Sequence, residues 1–143
     1  MNIILSLKPE YAALIYSGKK TIEWRHTFPD KVFFCDRVYI YETAPVKKVT
    51  GYFHFNLLLM PFYIEHRDFK LDVFTRAHKS ELEEWGQLPF PMLQKYAESG
   101  PVWGWHILNP VKYQNPFGLA IFGMKRPPQS WQYIETNKTK KEG

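Results

Sequence analysis

The sequence predicts an α+β fold in which a small β-barrel carries inserted short helices. Eleven Phe, nine Tyr and five Trp favour strands, because broad side chains pack well on a pleated surface. Eleven Pro and eight Gly imply many turns between short elements. Runs of alternating polarity, interrupted at two places by helical spacing, favour a small barrel over a doubly wound sheet.

The chain begins with a predicted strand and helix. The apolar run from Asn2 to Leu7 indicates a buried strand. Pro9 then suits the first position of a helix, where its missing N–H costs nothing, and Gly18 suits the left-handed stop. From Lys20 the pattern has period two, which predicts a further strand.

The remaining elements are predicted from local pattern in the same way. They are strands at 37–42 and 49–58, a helix with a capping box of Ser80 and Glu83, a helix around Met92 to Tyr96 ending near Gly100, a strand at 102–108, and strand pieces at 111–113 and 119–122. Residues 127–131 form a rigid loop. Cys35 follows Phe33 and Phe34, and this setting predicts a small buried apolar residue.

Length and hydropathy suggest one domain and no membrane segment. We expect a single domain over 1–134 and a disordered polar tail over 135–143. The longest apolar stretch is far below the ~18 residues that span a bilayer. No signal-peptide pattern opens the sequence. These features predict a soluble cytoplasmic protein.

Charge and metal-ligating residues narrow the choice of ligand. The net charge is +5: Lys138, Lys140 and Lys141 less Glu142 contribute +2 near the C-terminus, and residues 1–48 contribute +3, so a modestly basic N-terminal part could face a phosphate backbone. One cysteine excludes a disulfide framework and a thiolate zinc site. The five histidines have no paired metal-binding spacing: His26, His54, His66, His78 and His106. We predict no metal and no cofactor.

The segment from Lys20 to Arg25 carries the most chemistry. Residues two apart on a strand lie about 6–7 Å apart on one face, so Glu23 and Arg25 can bridge laterally and offer an acceptor and a planar donor fork to a nucleobase edge. Lys20 could contact phosphate, or act as a general base if desolvation lowers its pKa. A purely structural strand, with Ile22 and Trp24 inside and the alternate side chains in water, explains the same alternation.

Two runs in this part of the chain resemble the ASCH (activating signal cointegrator homology) family. They are Ile4-Leu5-Ser6-Leu7-Lys8-Pro9-Glu10-Tyr11-Ala12 and Gly18-Lys19-Lys20-Thr21-Ile22-Glu23-Trp24-Arg25. Residues 38–41, 44–49 and 51–53 are similar to the next two barrel strands and their turn. Residues 127–131 resemble the closing loop of prokaryotic members described as predicted transcriptional regulators.

The resemblance implies a PUA-like barrel with a cleft beside the segment Gly18–Arg25. The cleft is expected to bind RNA or a modified nucleobase through Lys8, Lys20, Thr21, Glu23 and Arg25. Fold analogy alone does not establish function.

An enzymatic alternative stays open. One ASCH-like branch hydrolyses the amide of N4-acetylcytidine with a Lys, a Thr three residues later and a Glu from a later segment. Lys20 matches the Lys, but Glu23 stands where that pattern has Thr, and Thr21 is misplaced along the strand. An enzyme of this kind would use Lys20 and Glu23, with a second carboxylate open among Glu81, Glu83 and Glu84. A nuclease is a further alternative.

Two further classes of function involve no catalysis: a nucleic-acid-binding module, and a ligand-sensing or protein-interaction domain. In a binding module, Lys20 and Arg25 would meet phosphate or base acceptors and Glu23 a base amino group. Five aromatic residues are candidates for stacking on a base: Trp24, Tyr52, Trp103, Trp105 and Trp131. A ligand-sensing or protein-interaction domain is the third class. No helix-turn-helix is evident, so a regulatory role would need a separate partner.

Overall fold

The computed structural model describes residues 1–59, 61–67, 70–73 and 77–135. The helices are α1 (Pro9–Tyr16), α2 (Lys79–Gly86) and α3 (Phe90–Glu98), with a 3-10 turn at Leu119–Phe122. The strands are β1 (Asn2–Leu7), β2 (Ile22–Arg25), β3 (Val38–Glu42), β4 (Lys48–Phe55), β5 (Phe62–Arg67), β6 (Lys70–Val73), β7 (Val102–Phe117) and β8 (Trp131–Ile134).

The strands form one mixed sheet in the order β6-β5-β7-β4-β3-β1-β8, and β2 pairs separately with β7. The β1–β3 pair is parallel and the other pairs are antiparallel. The 16-residue strand β7 connects the two parts, because its first half pairs with β2 and β5 and its second half with β4. The curved sheet is a half-barrel with three helices, which confirms the predicted α+β barrel-like fold.

Strand β2 lies at the boundary of two apolar clusters: its Ile22 and Trp24 belong to one, and its Glu23 pairs with Trp105 of the other. The interior of the half-barrel contains Trp105, fully buried, with Ala12 and Ile15 of α1 packed into it. The second cluster packs Ile22 and Trp24 of β2 against α2 and α3. Strand β2 therefore lies between the half-barrel and the helices, with its two faces in different surroundings.

Side-chain hydrogen bonds join the end of β2 to the edge formed by β1 and β8. Arg25 Nη2 donates to the Ser6 carbonyl at 2.8 Å, and Arg25 Nη1 donates to Ser130 Oγ at 3.0 Å. Next to Arg25 in the fold, Trp131 Nε1 donates to Thr27 Oγ1 at 2.9 Å. We call this boundary between β2 and the β1–β8 edge the seam.

Several local predictions are confirmed and several are wrong. Strand β1, helix α1 after Lys8 and strand β2 lie where they were predicted. The segment 119–122 is a 3-10 turn, and residues 111–113 belong to the continuous strand β7. The strand expected to reach residue 58 ends at Phe55, because Asn56 begins a turn in which its side chain accepts the N–H of Leu58.

The predicted capping box is displaced by two residues. In α2 the N–H of His78 donates to Glu81 Oε1 at 3.0 Å, so the box uses His78 and Glu81 in place of Ser80 and Glu83. Glu83 instead accepts the N–H of Phe90 at 2.7 Å and links α2 to the start of α3. The carboxylate at 83 thus serves a contact between helices that the local pattern does not reveal.

Cys35 is exposed, so the prediction of a buried thiol is wrong. The cause is a tight turn in which the N–H of Asp36 donates to the Phe33 carbonyl at 3.1 Å, which places Phe34 and Cys35 at its tip. The expected tail lies outside the described residues from 136 onward. Within the described part of the chain, no helix is long and apolar enough to span a bilayer.

Candidate functional site

A cleft of about 950 Å³ lies beside the seam, between the N-terminal end of α1 and helix α3. This volume is within the range of ordinary ligand pockets. The lining residues are Ser6, Leu7, Lys8, Tyr11, Lys20, Glu23, Trp24, Arg25, Thr43, Leu88, Met92, Lys95, Tyr96, Glu98, Ser99 and Gln129. The cleft predicted beside the segment from Gly18 to Arg25 is therefore present.

The floor of the cleft is a carboxylate held between two cations. Glu23 Oε1 lies 3.4 Å from Lys20 Nζ, and Glu23 Oε2 accepts a hydrogen bond from Arg25 Nε at 2.6 Å. The exposed fractions of the three side chains are 4% for Lys20, 7% for Glu23 and 14% for Arg25. The reading that places Glu23 in water is wrong, because side chains of α1 and α3 line the space above this face of β2.

Lys20 is the most enclosed of the three. Its Nζ donates to the Gly86 carbonyl at 2.5 Å and lies 5.6 Å from the centre of the Tyr11 ring. Burial lowers the pKa of Lys20, and the neighbouring Glu23 carboxylate opposes this shift. Gly86 leaves room for the neighbouring Trp24 indole, since a Cβ at position 86 would collide with Trp24 Nε1.

Arg25 serves both the cleft and the fold. Its guanidinium donates to Glu23 in the cleft floor and to Ser6 and Ser130 across the seam. The planar fork of N–H groups makes this possible, because a lysine ammonium could not reach three acceptors in fixed directions. The orientation of Arg25 in the cleft therefore depends on the loop before β8.

The structure brings together four of the five predicted binding residues. Lys8, Lys20, Glu23 and Arg25 all line the cleft. Thr21 has an exposed side chain and is not among the lining residues. Its backbone explains its position, because the N–H donates to the Trp85 carbonyl at 2.7 Å and the carbonyl accepts the N–H of Ile107 at 2.9 Å.

The second carboxylate at the cleft is one that the sequence did not single out. Among the described residues the lining carboxylates are Glu23 and Glu98. The three candidates in α2 lie elsewhere: Glu81 and Glu83 accept the backbone bonds described above, and Glu84 is exposed. The signal missed was the short helix α3, whose cleft-facing side includes Met92, Lys95, Tyr96 and Glu98.

The cleft has aromatic walls, but mostly not the predicted ones. Of the five stacking candidates only Trp24 lines it, while Trp105 is fully buried in the half-barrel. The other rings at the cleft are Tyr11 and Tyr96. Tyr96 packs on the His26 ring with centroids 4.0 Å apart, which fixes the last turn of α3 against the end of β2.

The electrostatic character of the cleft is moderately positive. Four basic side chains line it against two acidic ones; Lys8, Lys95 and Glu98 are exposed, whereas Lys20, Glu23 and Arg25 form the floor. No group of three or more His, Cys, Asp or Glu side chains arranged to hold a metal is present among the residues that the structure describes.

Comparison with solved structures identifies the fold. The chain aligns with the crystal structure of ASCH from Zymomonas mobilis with a TM-score of 0.73 at 24% identity, covering 99% of this chain and 92% of that one. A serine-to-alanine variant of the same protein, ZmASCH, aligns with a TM-score of 0.70 at 23% identity, covering 99% and 93%. The fold is therefore that of the PUA-like ASCH domains.

Sequence comparison gives a shorter match, again to an ASCH domain-containing protein of Zymomonas mobilis. A stretch of 49 residues is 47% identical to an ASCH domain-containing ribonuclease of Zymomonas mobilis. The match spans 34% of this chain and 32% of the relative, about a third of each. No family model matches the chain. The shared fold and this stretch agree with the resemblance to the ASCH family noted from the motifs.

Proposed function

We propose that the cleft binds single-stranded RNA and holds one nucleobase, ordinary or modified, against the cluster of Lys20, Glu23 and Arg25. The observation that carries the proposal is the carboxylate fixed between two cations at the floor of a cleft with aromatic walls. A base edge presents both donors and acceptors, and the cluster offers N–H groups and carboxylate oxygens at fixed positions. The similarity to an ASCH domain-containing ribonuclease supports RNA as the ligand class.

The two exposed lysines extend this site to the sugar–phosphate backbone. Lys8 precedes α1 and Lys95 lies on α3, so the cleft has a basic residue toward each end. A lysine ammonium suits a phosphate as a point charge. Tyr11, Tyr96 and Trp24 supply ring surface, which every base can use irrespective of sequence. A regulatory role for such a binder would need a partner that reads the bound state.

The test measures binding of two labelled RNA ligands, a uridine trinucleotide and a uridine strand of about 12 nucleotides. Binding is monitored by fluorescence anisotropy and by the thermal stabilisation of the protein. Replacing Lys8 and Lys95 together by Gln is expected to weaken binding of both lengths about tenfold. Lys79→Gln, a single-charge change on exposed α2, is the matched control. Absence of binding by the intact protein contradicts the proposal.

Arg25→Ala is a poor test of binding, although the sequence favoured it. That substitution also removes the hydrogen bonds to Ser6 and Ser130 that cross the seam. A loss of affinity would then report a rearranged fold as readily as a lost ligand contact. The exposed lysines avoid this ambiguity because they make no such bonds across the seam.

RNA cleavage is the second candidate. The observation that favours it is the 47% identity over 49 residues to an ASCH domain-containing ribonuclease. Lys20 and Arg25 are cations at the cleft floor of the kind that stabilises charge developing on a phosphoryl group. The test is incubation of an end-labelled RNA strand and of its 2′-deoxy counterpart, resolved by electrophoresis. Cleavage of the RNA alone, abolished in Lys20→Met, is the expected result for this candidate. An intact RNA strand rejects it.

Amide hydrolysis of N4-acetylcytidine has less support from the cleft. Glu23 occupies the position of the expected Thr and is already paired with two cations. The other carboxylate that lines the cleft is Glu98, which is exposed on α3. It is not one of the three glutamates, Glu81, Glu83 and Glu84, that the sequence suggested for this reaction. Conversion of N4-acetylcytidine to cytidine by the intact protein would restore this alternative.

A further inference from the structure

A second surface combines exposed aromatic rings with an arginine. Phe33 and Phe34 are 69% and 61% exposed, which is unusual for two consecutive large apolar side chains. They are carried by an ordered turn, because the N–H of Asp36 donates to the Phe33 carbonyl at 3.1 Å and Asp36 Oδ2 accepts the N–H of Phe33 at 2.8 Å. The turn therefore presents the two rings in a defined position.

Arg37 follows this turn directly, and its guanidinium lies over an aromatic ring. Its Cζ lies 4.0 Å from the centre of the Tyr52 ring, a close cation–π contact. Burial by itself would lower the pKa of Arg37. The hydrogen bond with Tyr39 and the nearby hydroxyls of Tyr52 and Tyr113 have a larger effect in the opposite direction, so the pKa of Arg37 is raised. The surroundings thus favour the guanidinium cation.

Among the described residues, no carboxylate forms an ion pair with Arg37 within 4.0 Å. The carboxylate next to it in sequence, Asp36, is occupied by the N–H of Phe33 and by the amino group of Met1 at 2.7 Å. An oriented guanidinium with no acidic partner is suited to an external anion, and its planar fork matches a phosphate group.

His54 connects the turn to the arginine. Its Nδ1 is 2.9 Å from the Asp36 carbonyl, and its ring lies edge-on to Tyr52 with centroids 5.5 Å apart. A carbonyl can only accept, so the proton on this side belongs to Nδ1. The turn, Arg37 and Tyr52 therefore form one supported unit, which we call the Phe33–Arg37 surface.

This surface is separate from the cleft. Neither the two phenylalanines nor Arg37 lines the cleft. Val38, the residue after Arg37, pairs with Ile3 at the start of β1, whereas Leu7 at the other end of β1 lines the cleft. Four residues of strand separate the two positions along β1, a distance of about 13 Å.

We propose that the Phe33–Arg37 surface is a second contact for single-stranded RNA, where bases stack on Phe33 and Phe34 and a phosphate binds Arg37. Aromatic rings beside an unpaired cation are the pattern by which proteins hold single strands without reading their sequence. The ligand identity rests on the proposed function of the cleft, and the surface adds a second point at which a longer strand is held.

The test compares strands that fit the cleft with strands that extend beyond it. The probes are a labelled uridine trinucleotide and a uridine strand of about 12 nucleotides, measured by anisotropy. The variants are Arg37→Gln and the double change Phe33→Ser with Phe34→Ser, with Lys79→Gln as the control. Each variant is expected to weaken binding of the long strand about tenfold and to leave the trinucleotide unchanged.

Salt dependence separates the two kinds of contact. Arg37→Gln is expected to reduce the slope of log affinity against log salt by about 0.7, the value for one phosphate contact on a single strand. The phenylalanine variant should keep the wild-type slope. Thermal unfolding of each variant checks that the fold is intact.

Three results would overturn the inference, and they are distinguishable. If both variants bind the long strand as tightly as the wild type, the Phe33–Arg37 surface does not contact RNA, and the proposal for the cleft is unaffected. No binding of either strand by the intact protein removes both. Equal losses for the trinucleotide and the long strand would also contradict it, because a contact used only by the longer strand leaves the affinity for the trinucleotide unchanged.

Discussion

Glu23 is the residue on which the cleft floor depends, since its two carboxylate oxygens contact different cations. Removing one partner of a buried ion pair costs far more than its net contribution, because the other charge is left without compensation. Loss of Lys20 leaves Glu23 paired with Arg25. Loss of Glu23 leaves the nearly buried Lys20 with no carboxylate.

Glu23→Gln is therefore expected to lower the free energy of unfolding by about 3 kcal/mol. The amide keeps the shape of the side chain, so the change isolates the charge. Denaturant unfolding of the wild type and the variant gives the difference. Glu98→Gln, at an exposed position of the same cleft, should change it by less than about 0.5 kcal/mol. Equal effects of the two changes would contradict the central role of Glu23.

The lowered pKa of Lys20 makes a prediction about pH. Because burial depresses this pKa below its ordinary 10.5, the unfolded chain binds more protons than the folded one between the two values. The contribution of Lys20 to stability must therefore increase as pH rises through that window. The free energy of unfolding of the wild type relative to Lys20→Met should therefore rise as the pH approaches 10 from below.

The range is kept below pH 10 because burial raises the pKa of Tyr16, Tyr96 and Tyr113 above their ordinary 10.0, which acts in the opposite direction at higher pH. Both proteins contain these tyrosines, so the difference between them isolates Lys20. A difference that stays constant or falls with pH would show that burial does not lower this pKa.

At the level of elements, the long strand β7 organises the molecule by pairing with β2, β4 and β5. Strand β7 passes close to β4 at Gly51. A Cβ there would lie 2.1 Å from the Val111 carbonyl and 2.5 Å from the Tyr16 hydroxyl. The Val111 oxygen is a backbone atom of β7, so it can move away from an added Cβ only if the pairing of β4 with β7 is disturbed.

Gly51→Ala is thus expected to destabilise the protein by about 2 kcal/mol or more. The matched control is Gly118→Ala, where a Cβ meets nothing within 4 Å and φ is −84°. The control should stay within about 0.5 kcal/mol of the wild type. Thermal unfolding of the two variants decides the point, and similar melting temperatures would contradict the close approach of β4 and β7.

At the level of the whole molecule, the charge distribution predicts how binding depends on salt. The cleft has Lys8 and Lys95 toward its ends, whereas its floor cations are largely neutralised by Glu23. Each lysine that meets a phosphate of a single strand contributes about 0.7 to the slope of log affinity against log salt.

The combined change of Lys8 and Lys95 to Gln should therefore lower that slope by about 1.4 for a uridine strand. Anisotropy titrations over a series of salt concentrations measure it, with Lys79→Gln as the single-charge control. An unchanged slope in the double variant would place the phosphate contacts elsewhere on the molecule.

Local pattern in the sequence determined the first three elements of the fold and the core of the candidate site. Strand β1, helix α1 and strand β2 follow from short-range periodicity and from Pro9 and Gly18, all of which act within a few residues. The lateral pairing of Glu23 and Arg25 also follows, because residues two apart on a strand must share a face.

Only the tertiary structure decided how these residues are used. The burial of Glu23, the bonds of Arg25 to Ser6 and Ser130, and the cleft wall supplied by α3 depend on segments far apart in the chain. The exposure of Phe33 and Phe34 depends on a turn that apolar composition does not reveal. Periodicity states which side chains share a face, and long-range packing determines what that face meets.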